Sequence, residues 1–257
     1  MDEILETAEQ RQDEEAVPEK PDYENEILSI IRTVTSPKVL RDRLSDYHSN
    51  DIADTFELLT PLEREKLYKM LDTESLTTIL EYLDEEDQAR YLDEMNIKKV
   101  ISILNEMEAD KTADLLKELG KEKRDIILEL LEPEVRKNIA MIISYDEDEI
   151  GSKMTTNYIA IPRGISIKDA MRRLIEQAPE NDNITTIYVL DENNMYYGAI
   201  SLRDLIVARQ GTDLEEIITT SYPYLYANEP IDRVVEELKD YNEDSIPLLN
   251  NDNLLLG

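Results

Sequence analysis

The chain contains an internal repeat of twelve residues, and this repeat limits the folds that its first half can adopt. Two apolar positions recur at this interval, three residues apart. The first column is Phe56, Tyr68, Leu80, Leu92, Leu104, Leu116 and Leu128, and the second is Leu59, Leu71, Leu83, Met95, Met107, Leu119 and Leu131. At 41% apolar composition, chance fills both columns with a probability on the order of 10^-6, so the repeat reflects structure.

Twelve residues do not make a whole number of helical turns. In one unbroken α-helix they rotate about 1,200°, which is about 120° past three turns, so each column would spiral around the helix. The chain therefore has to break once in each repeat. The breaks fall at the next position, where several residues are good N-cap types and where Pro61 and Pro133 follow in the first turn. These positions are Thr60, Asp72, Asp84, Asn96, Glu108, Gly120 and Glu132. The pattern predicts short helices of two or three turns that wind into a solenoid.

Composition excludes several classes of function. The chain carries 59 Asp plus Glu against 28 Lys plus Arg, a net charge of −31, which argues against nucleic acid and favours cations as partners. It has no cysteine and one histidine, His48, so thiolate metal sites are excluded and an imidazole site would depend on one residue. We interpret His48 as a helix-start or surface residue. Because the six glycines form no phosphate-binding loop, we expect no enzyme.

The segments that flank the repeats have their own patterns. Residues 1–26 are acidic, lack the apolar core of a signal peptide, and are predicted to be a disordered leader. Two helices follow, one before and one after Pro37, and cap the solenoid, which we place at residues 27–143. Residues 144–153 are predicted to form an acidic hinge. No run of about 18 apolar residues occurs anywhere in the chain.

Beyond Gly151 the pattern changes to alternating strands and helices. Residues 154–212 predict the order β-α-β-β-α: strands at 158–161, 186–190 and 196–201, a helical stripe at 167–175, and a helix from Leu202. The same order starts again in residues 213–257, with strands at 224–227 and 246–249 and a helical stripe at 231–238. This second copy stops at Gly257, before its last strand and helix. We therefore expect the chain to be part of a longer protein.

The two mixed copies, with Ser201-Leu202-Arg203-Asp204 at the last helix of the first, resemble a tandem pair of CBS domains. The upstream features sharpen the resemblance: the motif His-Ser-Asn-Asp-Ile-Ala-Asp at 48–54, the acidic repeats, and Ser-Tyr-Asp-Glu-Asp-Glu-Ile-Gly at 144–151 before Met154-Thr155. This succession resembles the cytosolic part of the MgtE magnesium transporters over residues 27–257. The resemblance implies a right-handed-type α-solenoid N domain followed by two CBS domains.

The family resemblance also implies a function. A transmembrane magnesium pore is expected after the second CBS domain, and the protein is expected to be a homodimer with this part on the cytoplasmic face of the cell membrane. Mg²⁺ between the N domain and the CBS domains would hold a closed state, and its loss would let the domains separate and the pore open. Composition alone does not distinguish Mg²⁺ from Mn²⁺ or Ca²⁺.

The resemblance assigns candidate magnesium ligands to this chain. Asp110 and Asp114 fall at i and i+4 on a repeat helix, which places them on one face, and they match an acidic pair that the family uses. Asp232 matches another acidic position of the family. From the residues alone, a helix cap and a solvated charge explain Asp110 and Asp114 better than a metal site does.

Three positions depart from the family's pattern, so the number of ions can differ here. Asn242 stands where the family often has Asp, and Thr78 where a repeat helix often carries Glu. Ser152 replaces a glycine whose backbone oxygen can contribute. Glu243 and Asp244 lie close enough in sequence to substitute for Asn242.

Two other interpretations remain open at this point. The CBS pair can act as an adenine-nucleotide sensor that binds ATP, with Asp204 contacting a ribose and Ser201 a phosphate-side oxygen. Alternatively, the chain is an acidic scaffold for protein interactions, and its charge serves solubility.

Overall fold

The computed structural model describes residues 21–181, 183–209 and 211–257. Within these residues the first half consists of ten α-helices and one 3₁₀ turn at Phe56–Leu58. The helices are α1 (Tyr23–Thr33), α2 (Pro37–Leu44), α3 (Ser49–Asp54), α4 (Pro61–Met70), α5 (Thr73–Leu80), α6 (Glu85–Asp93), α7 (Ile97–Glu106), α8 (Ala109–Glu118), α9 (Lys121–Leu130) and α10 (Pro133–Ile143). The predicted array of short helices is confirmed.

The first helix begins earlier than the sequence predicted. Residues 1–20 of the expected leader lie outside the described residues, but α1 already starts at Tyr23. The side chain of Asp22 accepts a hydrogen bond from the backbone N–H of Asn25 at 3.2 Å. This N-cap satisfies one of the free donors at the helix start, so the helix extends back beyond Ile27, its first buried residue.

The predicted breaks are where the repeat helices begin. The side chains of Thr60, Asp72, Asp84 and Asn96 each accept a hydrogen bond from the backbone N–H three residues later. Glu108, Gly120 and Glu132 stand at the N-caps of α8, α9 and α10 without such a bond. Each of the seven repeat helices α4–α10 therefore begins directly after a predicted break, and in four of them the side chain at the break caps the helix.

Both apolar columns face the interior of the solenoid. Every column residue is buried or half-buried, and Phe56, Leu80, Leu104 and Leu116 are fully buried. Several helices pack against the second next one along the chain: α2 on α4, α3 on α5, α5 on α7, α6 on α8, and α8 on α10. One continuous core results, which the short helices require because none can cover its apolar face alone.

The first mixed copy has the predicted order. It contains β1 (Ile159–Pro162), α11 (Ile167–Gln177), β2 (Thr186–Leu190), β3 (Tyr196–Ser201) and α12 (Leu202–Val207). Strand β1 pairs with β2 in parallel, and β2 pairs with β3 antiparallel. The side chain of Asp191 accepts from the backbone N–H groups of Asn193 and Met195, which closes the turn between β2 and β3.

The second copy is smaller than predicted within the described residues. It contains β4 (Leu225–Tyr226) and β5 (Leu248–Leu249), paired in parallel, and the helix α13 (Ile231–Leu238). Residues 254–257 run along β5, where Leu256 N donates to Leu248 O and Leu248 N donates to Gly257 O, each at 2.8 Å. Both strands are shorter than the predicted spans because few neighbouring strands extend their ladders.

Backbone hydrogen bonds join the connection between the two halves to the second copy. Ile150 N donates to Glu229 O at 2.9 Å and Gly151 N to Ala227 O at 2.7 Å, and Ile231 N donates to the carbonyl of Asp148 at 2.8 Å. A Cβ at Gly151 would lie 2.6 Å from the ring of Tyr145 and 2.7 Å from Ala227 O, so only glycine fits. Asp148, Ile150 and Gly151 are thus bonded to the second copy, and the acidic hinge at 144–153 stays a prediction.

The second copy also shares its apolar core with the solenoid. Met154, Leu225, Val234 and Leu248 belong to the same buried cluster as the repeat columns. The first copy has a separate core, built around Ile159, Ile187 and Leu205. Among the described residues, none of the helices has both the length and the apolar character needed to cross a lipid bilayer.

Candidate functional site

Helix α8 carries the two aspartates that the sequence selected. Asp110 lies in its first turn and is half-buried, and its Oδ1 atom is buried without a hydrogen-bond partner within the described part of the chain. Burial, followed by the nearby charge of Glu108, raises the pKa of Asp110. Backbone N–H groups and Lys111 act in the opposite direction, but they do not outweigh this desolvation.

Asp114 lies one turn later and meets two lysines. Its Oδ1 atom is 2.6 Å from Nζ of Lys117, and its Oδ2 atom is 3.5 Å from Nζ of Lys153. Lys117 belongs to the same helix, whereas Lys153 follows the segment that is bonded to the second CBS-like copy. Each oxygen of Asp114 therefore faces an ammonium group, and one of these pairs joins the two halves of the molecule.

Asp114 lines an open cavity of about 640 Å³ between α6, α8 and the connection. In its lining, carboxylates outnumber ammonium groups six to two. The lining residues are Asp84, Glu85, Glu86, Asp114, Lys117, Glu118, Glu147, Ser152 and Lys153. Of the candidate ligands from the sequence, the cavity thus brings together Asp114 and Ser152, and Ser152 is almost fully buried there.

The other candidate ligands lie elsewhere. Asp110 is absent from the cavity lining, although it shares a helix with Asp114. Asp232 is exposed in the first turn of α13. The candidates Asn242, Glu243 and Asp244 are exposed in the segment after that helix and do not line this cavity.

Sequence reasoning missed most of the residues that line the cavity. Asp84 had a signal as the N-cap of a repeat helix, and Glu147 had one as part of the acidic connection. Lys117 and Lys153 had none, because a lysine next to acidic residues in sequence ordinarily belongs to a solvated face. Their position opposite Asp114 depends on how the two halves pack.

The oxygen donors of this cavity are of the type that a hydrated divalent cation takes. Among the described residues, no three or more Asp, Glu or His side chains are already arranged as a closed ligand set. Mg²⁺ takes oxygen ligands and keeps several of its waters, so one or two carboxylates from each side are enough. Asp114, together with the carboxylates at the start of α6, would hold such an ion through its remaining waters.

A second polar contact joins the solenoid to the first mixed copy. The Oε1 atom of Glu108 accepts a hydrogen bond from Nδ2 of Asn157 at 2.7 Å. Its Oε2 atom lies 3.0 Å from Nζ of Lys111, which is 3.3 Å from Glu81 Oε2. Burial raises the pKa of Glu81. Lys111 thus compensates the charge of both glutamates at this contact.

The candidate nucleotide-binding residues form a helix cap. Ser201 Oγ accepts from the backbone N–H of Asp204 at 3.0 Å and donates to Asp204 Oδ2 at 2.7 Å. Both residues are exposed at the start of α12. The single histidine also has a capping role, as predicted: His48 Nδ1 accepts from the backbone N–H of Asn50 at 3.2 Å.

Two protein families match successive parts of the chain. Residues 47–148 match the family described as MgtE intracellular N domain, and residues 148–211 match the CBS domain. The magnesium transporter MgtE of Thermus thermophilus is 34% identical over 128 residues, which is 50% of this chain and 28% of that protein. The magnesium transporter MgtE of Enterococcus faecalis is 30% identical over 119 residues, 46% of this chain and 26% of that protein. The matched part is thus about a quarter of these relatives' length.

Two solved structures share the whole arrangement. The crystal structure of the soluble part of a magnesium transporter has a TM-score of 0.85 at 26% identity, and covers 91% of this chain and 92% of that one. The cytosolic domain of the Mg²⁺ channel MgtE in complex with ATP has a TM-score of 0.82 at 27% identity, with 91% and 95% covered. Because the helical repeats and the CBS fold match in the same order and in the same arrangement, this chain belongs to the MgtE family and corresponds to its cytosolic part.

Proposed function

We propose that this chain is the magnesium-sensing regulatory region of a membrane magnesium transporter or channel. Mg²⁺ bound between the acidic N domain and the CBS domains favours a closed state, and its loss opens the pore. The acidic cavity around Asp114 carries this proposal, since it lies between the N domain and the connection to the CBS domains, and Glu147 and Ser152 of that connection add oxygen donors to its lining. The role is regulatory and involves no catalysis.

Electrostatic repulsion provides the switch. Two carboxylates about 5 Å apart repel by roughly 3 kcal/mol at an effective dielectric constant near 20, and a divalent ion between them reverses the sign. The carboxylates of α6 and α8 belong to the N domain, whereas Glu147 precedes the segment that is bonded to the second CBS copy. An ion in the cavity therefore attracts both sides, and its removal favours their separation.

A few bound ions can supply the free-energy difference that shifts the population from the open to the closed state. Millimolar affinity for the closed form corresponds to about 4 kcal/mol per ion at standard state. Inverting a 1:99 population requires a differential of about 5.5 kcal/mol. More than one ion must therefore bind preferentially to the closed form.

The partners follow from the same proposal. Mg²⁺ is the ligand, a transmembrane domain of the same protein follows this region, and the region lies at the cytoplasmic face of the membrane as part of a homodimer. The relatives named magnesium transporter and Mg²⁺ channel support this assignment.

Limited proteolysis tests the proposal. Millimolar MgCl₂ should slow cleavage in residues 144–147, whereas NaCl at the same ionic strength should not. Asp114→Asn removes one charge from the cavity and should reduce the protection, while Glu192→Gln, in the exposed turn between β2 and β3, should leave it intact. Equal cleavage rates with and without MgCl₂ would rule the proposal out.

Nucleotide binding is a second candidate function, favoured by the related Mg²⁺ channel domain in complex with ATP. Asp204→Asn keeps an acceptor for the hydroxyl of Ser201 but removes the charge. If ATP binds through this pair, calorimetry should show weaker binding for the variant while its melting temperature stays within a few degrees. Unchanged ATP affinity would exclude Asp204 from the site.

A further inference from the structure

Lys153 belongs structurally to the CBS side of the molecule. It ends the short 3₁₀ turn Ile150–Lys153. The first two residues of that turn donate backbone hydrogen bonds to Glu229 and Ala227 of the second CBS copy. Since Gly151 has no room for a side chain at this contact, the turn is held in one position. Any movement of the second copy relative to the N domain therefore carries Lys153 with it.

The side chain of Lys153 reaches back to the N domain. Its Nζ atom lies 3.5 Å from Asp114 Oδ2, and the side chain remains about half exposed. The other lysine at Asp114, Lys117, is three residues further along the same helix, so its ion pair at 2.6 Å connects nothing across the interface. Lys153 alone of these two cations spans the boundary that the proposed magnesium ion would also span.

We propose that Lys153 is a covalently attached cation that partly replaces magnesium at Asp114. Its ion pair with Asp114 holds the N domain against the CBS side when divalent cations are scarce. When Mg²⁺ occupies the cavity, this ion pair breaks and the metal compensates Asp114 instead. The exchange with Mg²⁺ rests on the proposed function, whereas the bridge in the absence of metal does not. The result is a regulatory region that keeps a residual closed population without magnesium.

The expected size of the effect follows from the exposure of the pair. Ion pairs between exposed side chains change an equilibrium by about 1.4-fold to 5-fold. Lys153 and Asp114 are both partly exposed, at 53% and 32%, so the ratio of docked to separated molecules should change within this range. A change of this size adjusts the response to magnesium without replacing it.

Fluorescence energy transfer measures this ratio. The chain contains no cysteine, so Ser29→Cys in α1 and Asn193→Cys in the exposed β2–β3 turn provide two specific labelling positions. In EDTA, Lys153→Met should lower the docked ratio about 1.4-fold to 5-fold, and Lys153→Arg should retain it. Lys137→Met removes a comparable exposed lysine whose partner, Glu134, lies on the same helix, and should have no effect.

Magnesium separates the two proposals. At saturating MgCl₂, Lys153→Met and the unsubstituted protein should reach the same docked ratio, because the ion then compensates Asp114 in both. Identical ratios in EDTA would overturn the bridge, whether or not magnesium still closes the domains. A second outcome would support the bridge and overturn the magnesium-sensing function: Lys153→Met lowers the docked ratio in EDTA, and MgCl₂ changes that ratio in none of the variants. If Lys153→Met still has the lower docked ratio at saturating MgCl₂, the proposed replacement of Lys153 by Mg²⁺ at Asp114 would be overturned.

Discussion

Arg64 offers the sharpest test of how the solenoid is held together. Its guanidinium group is nearly buried on α4 and binds both carboxylate oxygens of Glu94, at 2.6 and 2.9 Å. It also donates to the carbonyl oxygens of Phe56 and Leu59, at 3.2 and 2.5 Å. The ring of Tyr91 lies 4.9 Å below it. One side chain thus joins α4, α6 and the 3₁₀ turn before them.

Arg64→Met should remove this network while keeping most of the side-chain volume. Removing one partner of a buried ion pair costs about 3–5 kcal/mol, because the other charge is left without compensation. The side chain of Glu94 is 27% exposed, so water recovers part of that loss, and we expect a destabilisation of about 2–3 kcal/mol. The additional substitution Glu94→Met should recover part of the loss, since the double variant buries no unpaired charge.

Urea unfolding followed by circular dichroism at 222 nm measures these differences in the free energy of unfolding. Most of the helical residues in the described part of the chain belong to the solenoid, so the helical signal reports its unfolding. Lys137→Met, which breaks an exposed pair within one helix, should change the free energy of unfolding by less than about 0.5 kcal/mol. A loss below that value for Arg64→Met would refute the reasoning. So would a double variant whose loss equals the sum of the two single losses.

Three further predictions concern local features. Burial raises the pKa of Asp110 in the folded protein above its value in the unfolded chain. The protonated side chain therefore favours the folded state at pH values below the unfolded pKa. This contribution to the free energy of unfolding is lost as the pH rises through the folded pKa, where Asp110 ionises. Asp110→Asn should therefore raise the melting temperature in EDTA at pH 7, by an amount that shrinks towards pH 4. Leu104→Ala, at a fully buried column position, should cost about 2–5 kcal/mol in urea unfolding, whereas Leu62→Ala, at an exposed position of α4, should cost far less. Asp72→Ala removes the cap that accepts from Ser75 N at 2.9 Å and should cost about 1 kcal/mol by the same measurement, with Asp72→Asn close to neutral.

The solenoid could be predicted because its determinants are local. The residue that ends one helix, such as Leu71, and the N-cap that starts the next, such as Asp72, are neighbours in sequence. The buried apolar residue and the cap of the following helix therefore recur together every twelve residues, and both are visible in the sequence. The same holds for the first CBS copy, where Asp191 closes a turn with residues two and four positions later.

The contacts between distant segments could not be predicted in this way. Arg64 and Glu94 are 30 residues apart, and their meeting depends on the angle at which successive helices pack. Lys153 and Asp114 meet only because the connection is bonded to the second CBS copy. Sequence reasoning therefore selected Asp114, which lines the cavity, but missed the lysine opposite it. The predicted ligands Asp232 and Asn242 lie away from the cavity in this arrangement, and the role of every predicted ligand stays a prediction.

The column of N-cap residues also explains how so many carboxylates can line one cavity. Asp84, Glu85 and Glu86 occupy the cap and first turn of α6, and Asp84 accepts from the backbone N–H of Asp87 at 2.8 Å. The positive end of a helix stabilises nearby anions by about 0.3–1 kcal/mol each. Lys117 and Lys153 compensate Asp114 in addition. The repeat that terminates each helix thus places acidic groups where the helix itself stabilises them, and this acidic cavity can persist without a bound cation.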